Sequence, residues 1–219
     1  MPTTMNEQTD RELVDSVCAG DARAFGVLVR RHQSRILRLA FHLLSSSTDA
    51  EDVAQETFVR AYQAIRQFDG RSELFTWLYR IAVNLSLNRI RSRRARREST
   101  SFEDPRVELF LHESSDARAS DPASAAEQKR ELRALMDGMD ALSESLRTTL
   151  ILVCVDGLSQ AEVARILGCS EGTIAWRVHE ARRKLTLHMQ DVGYRAAPTE
   201  SGIGARDDWM QARVAGVRG

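Results

Sequence analysis

The sequence predicts an all-α fold of two small helical domains joined by a flexible acidic linker. Apolar residues recur at helical spacing through residues 10–97 and again through 129–190, and neither stretch shows the two-residue alternation of a half-buried strand. Between them, residues 98–128 carry Pro105, Pro122 and the Ser/Ala/Asp-rich run Ser114–Ala126, which has no sustained apolar period and reads as a linker. A length of 219 residues suits two small units, and 42% hydrophobic content argues for packed structure over wholesale disorder. Residues 191–219 read as a flexible tail with Trp209 and Met210 as its only anchor.

Four helices are expected in the first unit: Asp10–Ala19, Asp21–Leu44, Thr48–Arg66 and Ser72 to about Arg97, with breaks at Gly20, Ser45–Ser47 and Asp69–Gly70. Thr48 with Glu51 predicts a capping box, and Ser72 a cap for the fourth helix. In the third helix Ala54, Phe58, Ala61 and Ile65 form one stripe, and Asp52, Gln55 and Glu56 point away from it. That polar face is either an ordinary solvated surface or a docking patch for a partner protein. In the fourth helix Leu78, Ile81, Ala82 and Leu85 form the expected core stripe, while Arg80, Asn84, Asn88 and Arg91 run along another side. Arginine supplies phosphate contacts and asparagine pairs with exposed base edges, so this side predicts nucleic-acid contact. Trp77 heads the same side but reads as core before it reads as a stacking platform.

In the second unit, Leu132–Leu142 and Glu144–Val155 are supporting helices. Leu158-Ser159-Gln160-Ala161-Glu162-Val163-Ala164-Arg165-Ile166-Leu167-Gly168-Cys169-Ser170 is the most specific signal in the chain. Ser159 and Glu162 make a capping box, Gly168 permits a turn, and Ser170 caps a second helix with Ile174, Val178, Ala181 and Leu185 inside. Two amphipathic helices around a glycine turn, with small Ala164 at the crossing, predict a helix-turn-helix that binds DNA. Its second helix would enter the major groove by its N-terminal end. Thr173 and Arg177 would then lie near base edges, with Arg182, Arg183 and Lys184 on the backbone. Glu171 reads as a partner of the helix dipole before it reads as a cytosine contact.

The charge total misleads until the charges are located. Lys+Arg and Asp+Glu are equal at 31 each, which by itself speaks against a nucleic-acid binder. Yet Arg89, Arg91, Arg93, Arg94, Arg96 and Arg97 crowd into nine residues without an acid, and Glu98–Gln128 then sets eight acids against Arg106 and Arg118. Neutrality is a sum over blocks of opposite sign, and such blocks mark linkers and interaction surfaces.

Other classes find little support. His32, His42, His112, His179 and His188 form no metal-spaced pair with each other or with Cys18, Cys154 and Cys169, and no phosphate loop or nucleophile elbow is present, so neither catalysis nor a cofactor is expected. The polar N-terminus and the lack of an apolar run of membrane-spanning length predict a cytoplasmic protein that does not itself insert into a membrane.

With both units in view, the chain resembles a bacterial sigma factor of the extracytoplasmic-function group of the sigma-70 family, the small kind that keeps regions 2 and 4. The resemblance rests on Asp49-Ala50-Glu51-Asp52-Val53-Ala54-Gln55-Glu56-Thr57-Phe58-Val59-Arg60-Ala61-Tyr62, on Phe75-Thr76-Trp77-Leu78-Tyr79-Arg80-Ile81-Ala82-Val83-Asn84, and on Leu158 through Leu185. It implies that Asp52, Gln55 and Glu56 face the clamp helices of the RNA polymerase core. Arg80, Asn84 and Asn88 would line the opened −10 strand of promoter DNA, with the Phe68–Leu74 loop, including Arg71, helping to hold a flipped base. Thr173, Arg177 and Arg182 would read the −35 element. Ala175 and Trp176 depart from the basic residue and serine frequent there, and the tail has no counterpart in the two-region form. The resemblance also implies an anti-sigma factor as partner. The rival reading is a helix-turn-helix regulator that is not a polymerase subunit.

Overall fold

The computed structural model describes residues 8–96 and 122–194, with side chains for 8–93 and 126–194. These residues form helices and turns without a strand, and they fall into two compact units. The predicted linker, apart from its last residues, and the tail beyond Tyr194 lie outside the described residues.

The N-terminal unit comprises α1 (Asp10–Cys18), α2 (Ala22–Leu44), α3 (Ser47–Ala64), a 3-10 turn (Ile65–Gln67) and α4 (Leu74–Arg96). Thr9 opens α1 through a capping box with Glu12, and the Asp21 side chain accepts from the Arg23 N–H to open α2. α2 ends on Ser45 in the left-handed region at φ 55°, an uncommon conformation for a residue with a Cβ. The next helix is capped by Ser46, whose hydroxyl accepts from the Asp49 N–H at 3.3 Å. The expected Thr48–Glu51 capping box is not made, because the helix has already begun at Ser47. Ser72 is likewise one residue early, since the Glu73 carbonyl accepts the first α4 bond from the Trp77 N–H.

α2 packs on α1, α3 and α4, and α3 packs on α4. Leu13, Leu28, Ile36, Leu39, Leu43, Leu78 and Tyr79 fill the interior. At one end Ala40, Leu44, Ala50, Val53 and Ile90 close around Phe41, Leu85 and Leu87. The α3 stripe is buried as expected at Ala54, Phe58, Ala61 and Ile65. The α4 stripe is broader than the spacing suggests: Leu78 and Ala82 are buried, Ile81 and Leu85 only partly so, and Tyr79, Val83, Ser86 and Ile90 join the core. α4 is gripped from two sides, by α2 and α3, which widens its buried arc. Buried Thr57 and Ser86 satisfy their hydroxyls on the Val53 and Ala82 carbonyls, one turn back.

The C-terminal unit comprises α5 (Pro122–Ala141), α6 (Glu144–Leu150), a π-helical turn (Ile151–Val155), α7 (Gln160–Leu167) and α8 (Glu171–Asp191). α5 starts earlier than its apolar spacing predicts. Pro122 suits the first helical position, and the Ala, Glu, Gln, Lys and Arg that follow are strong helix formers without an apolar period. The expected Glu144–Val155 helix widens into the π turn after Leu150, where the Asp156 N–H reaches the Ile151 carbonyl at 3.0 Å. α8 packs on α5 and α6, burying Ile174, Val178, Ala181, Leu185 and Met189. Gly138 lies so close to α8 that a Cβ there would meet His188 Cδ2 at 2.7 Å. Arg147, nearly buried, pairs with Asp140 at 2.7 Å.

Candidate nucleic-acid interface

On α4 the row Arg80, Asn84, Asn88 and Arg91 is exposed along its whole length. The buried positions Tyr79, Val83, Ser86 and Ile90 anchor the opposite side, so packing fixes which way the row faces. At the N-terminal end of this row, within the same unit, Phe68, Arg71, Thr76, Trp77 and Arg80 line one recess. Asp69 shapes the loop, its carboxylate accepting from the Arg71 N–H at 3.0 Å and pairing with the Arg71 guanidinium at 3.2 Å. Arg71 nevertheless remains largely in solvent. Trp77 is not a core residue as expected. It is half-buried, its ring 5.4 Å from that of Phe68 at an angle of 49°, because Leu78 and Tyr79 beside it already occupy the interior. The recess therefore offers aromatic surface and guanidinium groups together, the combination that holds an unpaired base and its phosphate.

The arginine run divides by face. Arg89 and Arg93, one turn apart, reach back to α3. Arg89 donates to Asp49 Oδ1 at 2.6 and 2.8 Å and to Asp52 Oδ2 at 2.8 Å. Arg93 pairs with Asp49 and donates to the Leu44 carbonyl at 3.3 Å, covering the last turn of α2. Burial pushes the Asp49 carboxyl up, but the Arg89 hydrogen bond, the charges of Arg93 and Arg89 and the Ser46 hydroxyl together hold it below the usual carboxylate range. These two arginines are braces, while Arg91 remains outward. The six-in-nine run hid this role; the legible signal was the i, i+4 spacing of Arg89 and Arg93 against the i, i+3 spacing of Asp49 and Asp52.

Asp52, Gln55 and Glu56 are exposed on α3 as expected. Asp52 is oriented by Arg89, and Glu56 by Arg60 at 2.7 Å. Val59 and Tyr62, 52% and 49% exposed, extend the same face with apolar surface. Tyr62 is steadied by an edge contact with Phe25, centroids 4.9 Å apart.

In the C-terminal unit both predicted caps form. The Ser159 hydroxyl accepts from the Glu162 N–H at 3.2 Å while Glu162 accepts from the Ser159 N–H at 2.8 Å. Gly168 turns the chain at φ 66°, and Ser170 accepts from the Thr173 N–H at 3.2 Å. The Thr173 hydroxyl lies 2.9 Å from that of Ser170, so the first turn of α8 is held on both sides. Glu171 is exposed in that turn, where its charge suits the helix dipole. Arg177 is half-buried, and Arg183 is outward, engaged with Glu180 at 2.8 and 2.9 Å. Arg182 turns back, one guanidinium nitrogen 3.5 Å from Cys154 Sγ of the π turn. The largest exposed side chain of α8 is Trp176.

A helical unit with a basic, amide-rich face and a second unit built around a helix-turn-helix define a DNA-binding transcription protein. Residues 28–96 match the family described as Sigma-70 region 2 and residues 132–185 that described as Sigma-70, region 4. The RNA polymerase sigma-H factor of Pseudomonas aeruginosa is 33% identical over 186 residues, 85% of this chain and 96% of that one. The ECF RNA polymerase sigma-E factor of Escherichia coli K12 is 35% identical over 187 residues, 85% and 97% of the two chains. Among solved structures, CnrH in complex with the cytosolic domain of CnrY superposes with a TM-score of 0.58 at 28% identity, covering 84% of this chain and 99% of that one. The chain belongs to the sigma-70 family, in its extracytoplasmic-function group, and is an RNA polymerase sigma factor, not a free-standing regulator.

Proposed function

We propose that the two units divide promoter recognition between them, with α3 as the dock for core polymerase. Residues 10–97 act as region 2, residues 129–190 as region 4, and 98–128 bridge them. The Asp52, Gln55 and Glu56 face offers acceptors to basic or amide groups on the polymerase clamp helices. Arg80, Asn84, Asn88 and Arg91 follow the −10 strand, with Arg71 at the recess beside it. Captured there, a flipped base offsets the few kcal/mol that unstacking costs. Thr173, Arg177 and Arg183 approach the −35 duplex, and Arg182 contributes by seating α8 on the π turn. The chain carries out no catalytic step and needs no cofactor, and it works in the cytoplasm, where polymerase and promoter are.

CnrH was solved in complex with a partner protein, the cytosolic domain of CnrY, which supports a protein partner for this chain too, in the role of the anti-sigma factor that the sequence resemblance implies. The observation that carries this reading is the uninterrupted exposed row on α4. Its test is initiation by core polymerase reconstituted with Arg80→Ala or Asn84→Ala. Each lost base or phosphate contact, about 1–3 kcal/mol, should slow promoter opening by about 5- to 160-fold while core binding is retained. Opening at the native rate in both variants would remove α4 from the −10 strand.

A further inference from the structure

The chain is poor in aromatics, at 6%, and Trp77 is tucked against Phe68. Trp176 is instead 61% exposed, in the second turn of α8, and leaving an indole in water forgoes a large burial gain. Its surroundings keep it available. A helical side chain leans toward the preceding turn, and the residue one turn back is Gly172, where an added Cβ would meet only Ser170 Oγ at 3.9 Å. Ala175 beside it is small and exposed. Arg183, two turns on, shares its face, so the indole stands between the helix N-terminus and a phosphate-binding charge.

We infer that Trp176 is a specificity-determining residue of the −35 contact, its indole face packing on the 5-methyl group of one thymine in the major groove. The inference rests on the placement of α8 in that groove. The choice of base follows from chemistry. Indole has a single N–H donor and no acceptor, so it leaves the amino groups of adenine and cytosine unanswered. Thymine alone presents a methyl group there, together with an acceptor oxygen. Removing one methyl from water corresponds to about a fourfold change in affinity.

The test uses the full chain bound to core polymerase and a pool of duplex promoters randomised across the upstream element, sequenced after initiation. The native chain is expected to enrich thymine at one position. Trp176→Phe should keep that preference, and Trp176→Ala should lose it while enriching bases elsewhere in the element. In a selected template, deoxyuridine at that position, which lacks only the methyl, should lower initiation about fourfold with the native chain and leave Trp176→Ala unaffected. Indifference of the native chain to deoxyuridine, or equal sensitivity of Trp176→Ala, overturns the inference. No enrichment at any upstream position would overturn the placement of α8 itself, and this inference with it.

Discussion

Asp49 is the residue on which the two working helices of the N-terminal unit are aligned. Its carboxylate, 11% exposed, takes Arg89 and Arg93 from α4 while its backbone N–H closes the α3 cap. Among the described residues, Asp49→Ala would leave Arg89 with Asp52 alone and Arg93 with the Leu44 carbonyl alone, and because both guanidinium groups keep contact with solvent a loss of about 1–2 kcal/mol is expected in denaturant unfolding. The pH dependence has a definite sign. The folded carboxyl titrates below its ordinary value, and an unfolded aspartate titrates near about 3.9. The contribution is therefore intact above that pH and is lost as pH falls through the lower folded value. The stability gap between the native chain and Asp49→Asn should be constant from neutral to mildly acidic pH and then shrink, read as unfolding midpoints across that range. A gap that widened on acidification would contradict the ion-pair account. The sequence displayed these residues without revealing the pairing, since an arginine run reads as one surface until α3 and α4 are brought side by side.

At the scale of elements, helix ends and close crossings carry the testable content. Ser45 holds the left-handed C-terminal position of α2 with a Cβ, so Ser45→Gly should stabilise the chain by about 0.5–1 kcal/mol. At the α5–α8 crossing, Gly138→Ala gains helix propensity but drives a methyl into His188 and Leu185. Overpacking of about 1–3 kcal/mol against a gain of up to about 1 kcal/mol leaves a net loss near 1 kcal/mol, again read from unfolding midpoints. The helix-turn-helix was legible almost residue by residue because its caps and its glycine are local interactions, set within a few positions of one another. The Thr48–Glu51 box failed for the same local reason, Ser46 having captured the Asp49 N–H first. The π turn and the early start of α5 were not legible. One shows only in which carbonyl the Asp156 N–H reaches, and the other rests on propensity without periodicity. The face assignments of α3 and α4 came through because amphipathic period survives in any packing, whereas the brace formed by Arg89, Arg93 and Asp49 required tertiary contact.

Across the whole molecule, equal numbers of acids and bases conceal a division of labour. Arg80 and Arg91 on α4 and Arg183 on α8 face outward, and the acidic excess lies in the connector. Promoter elements about two duplex turns apart are separated by roughly 70 Å. Because α5 already begins at Pro122, the connector Glu98–Asp121 could reach only about 80 Å extended and would average about 27 Å as a free coil, so on the proposed reading a surface holds it out, and its acidity suits a positively charged polymerase channel. Replacing Glu98–Asp121 with a neutral segment of equal length should lower promoter-dependent transcription by core polymerase, and unchanged transcription would contradict the charge argument. The central claim, that α4 opens the promoter from a chain docked through α3, has a direct measurement. Core polymerase is combined with the native chain or with Arg80→Ala/Asn84→Ala, and the reactivity of unpaired thymines in the −10 element is followed. The account predicts strong reactivity with the native chain, loss of at least tenfold in the double variant, and equal core binding by both. Equal reactivity, or no promoter-directed opening by the native chain, would contradict it.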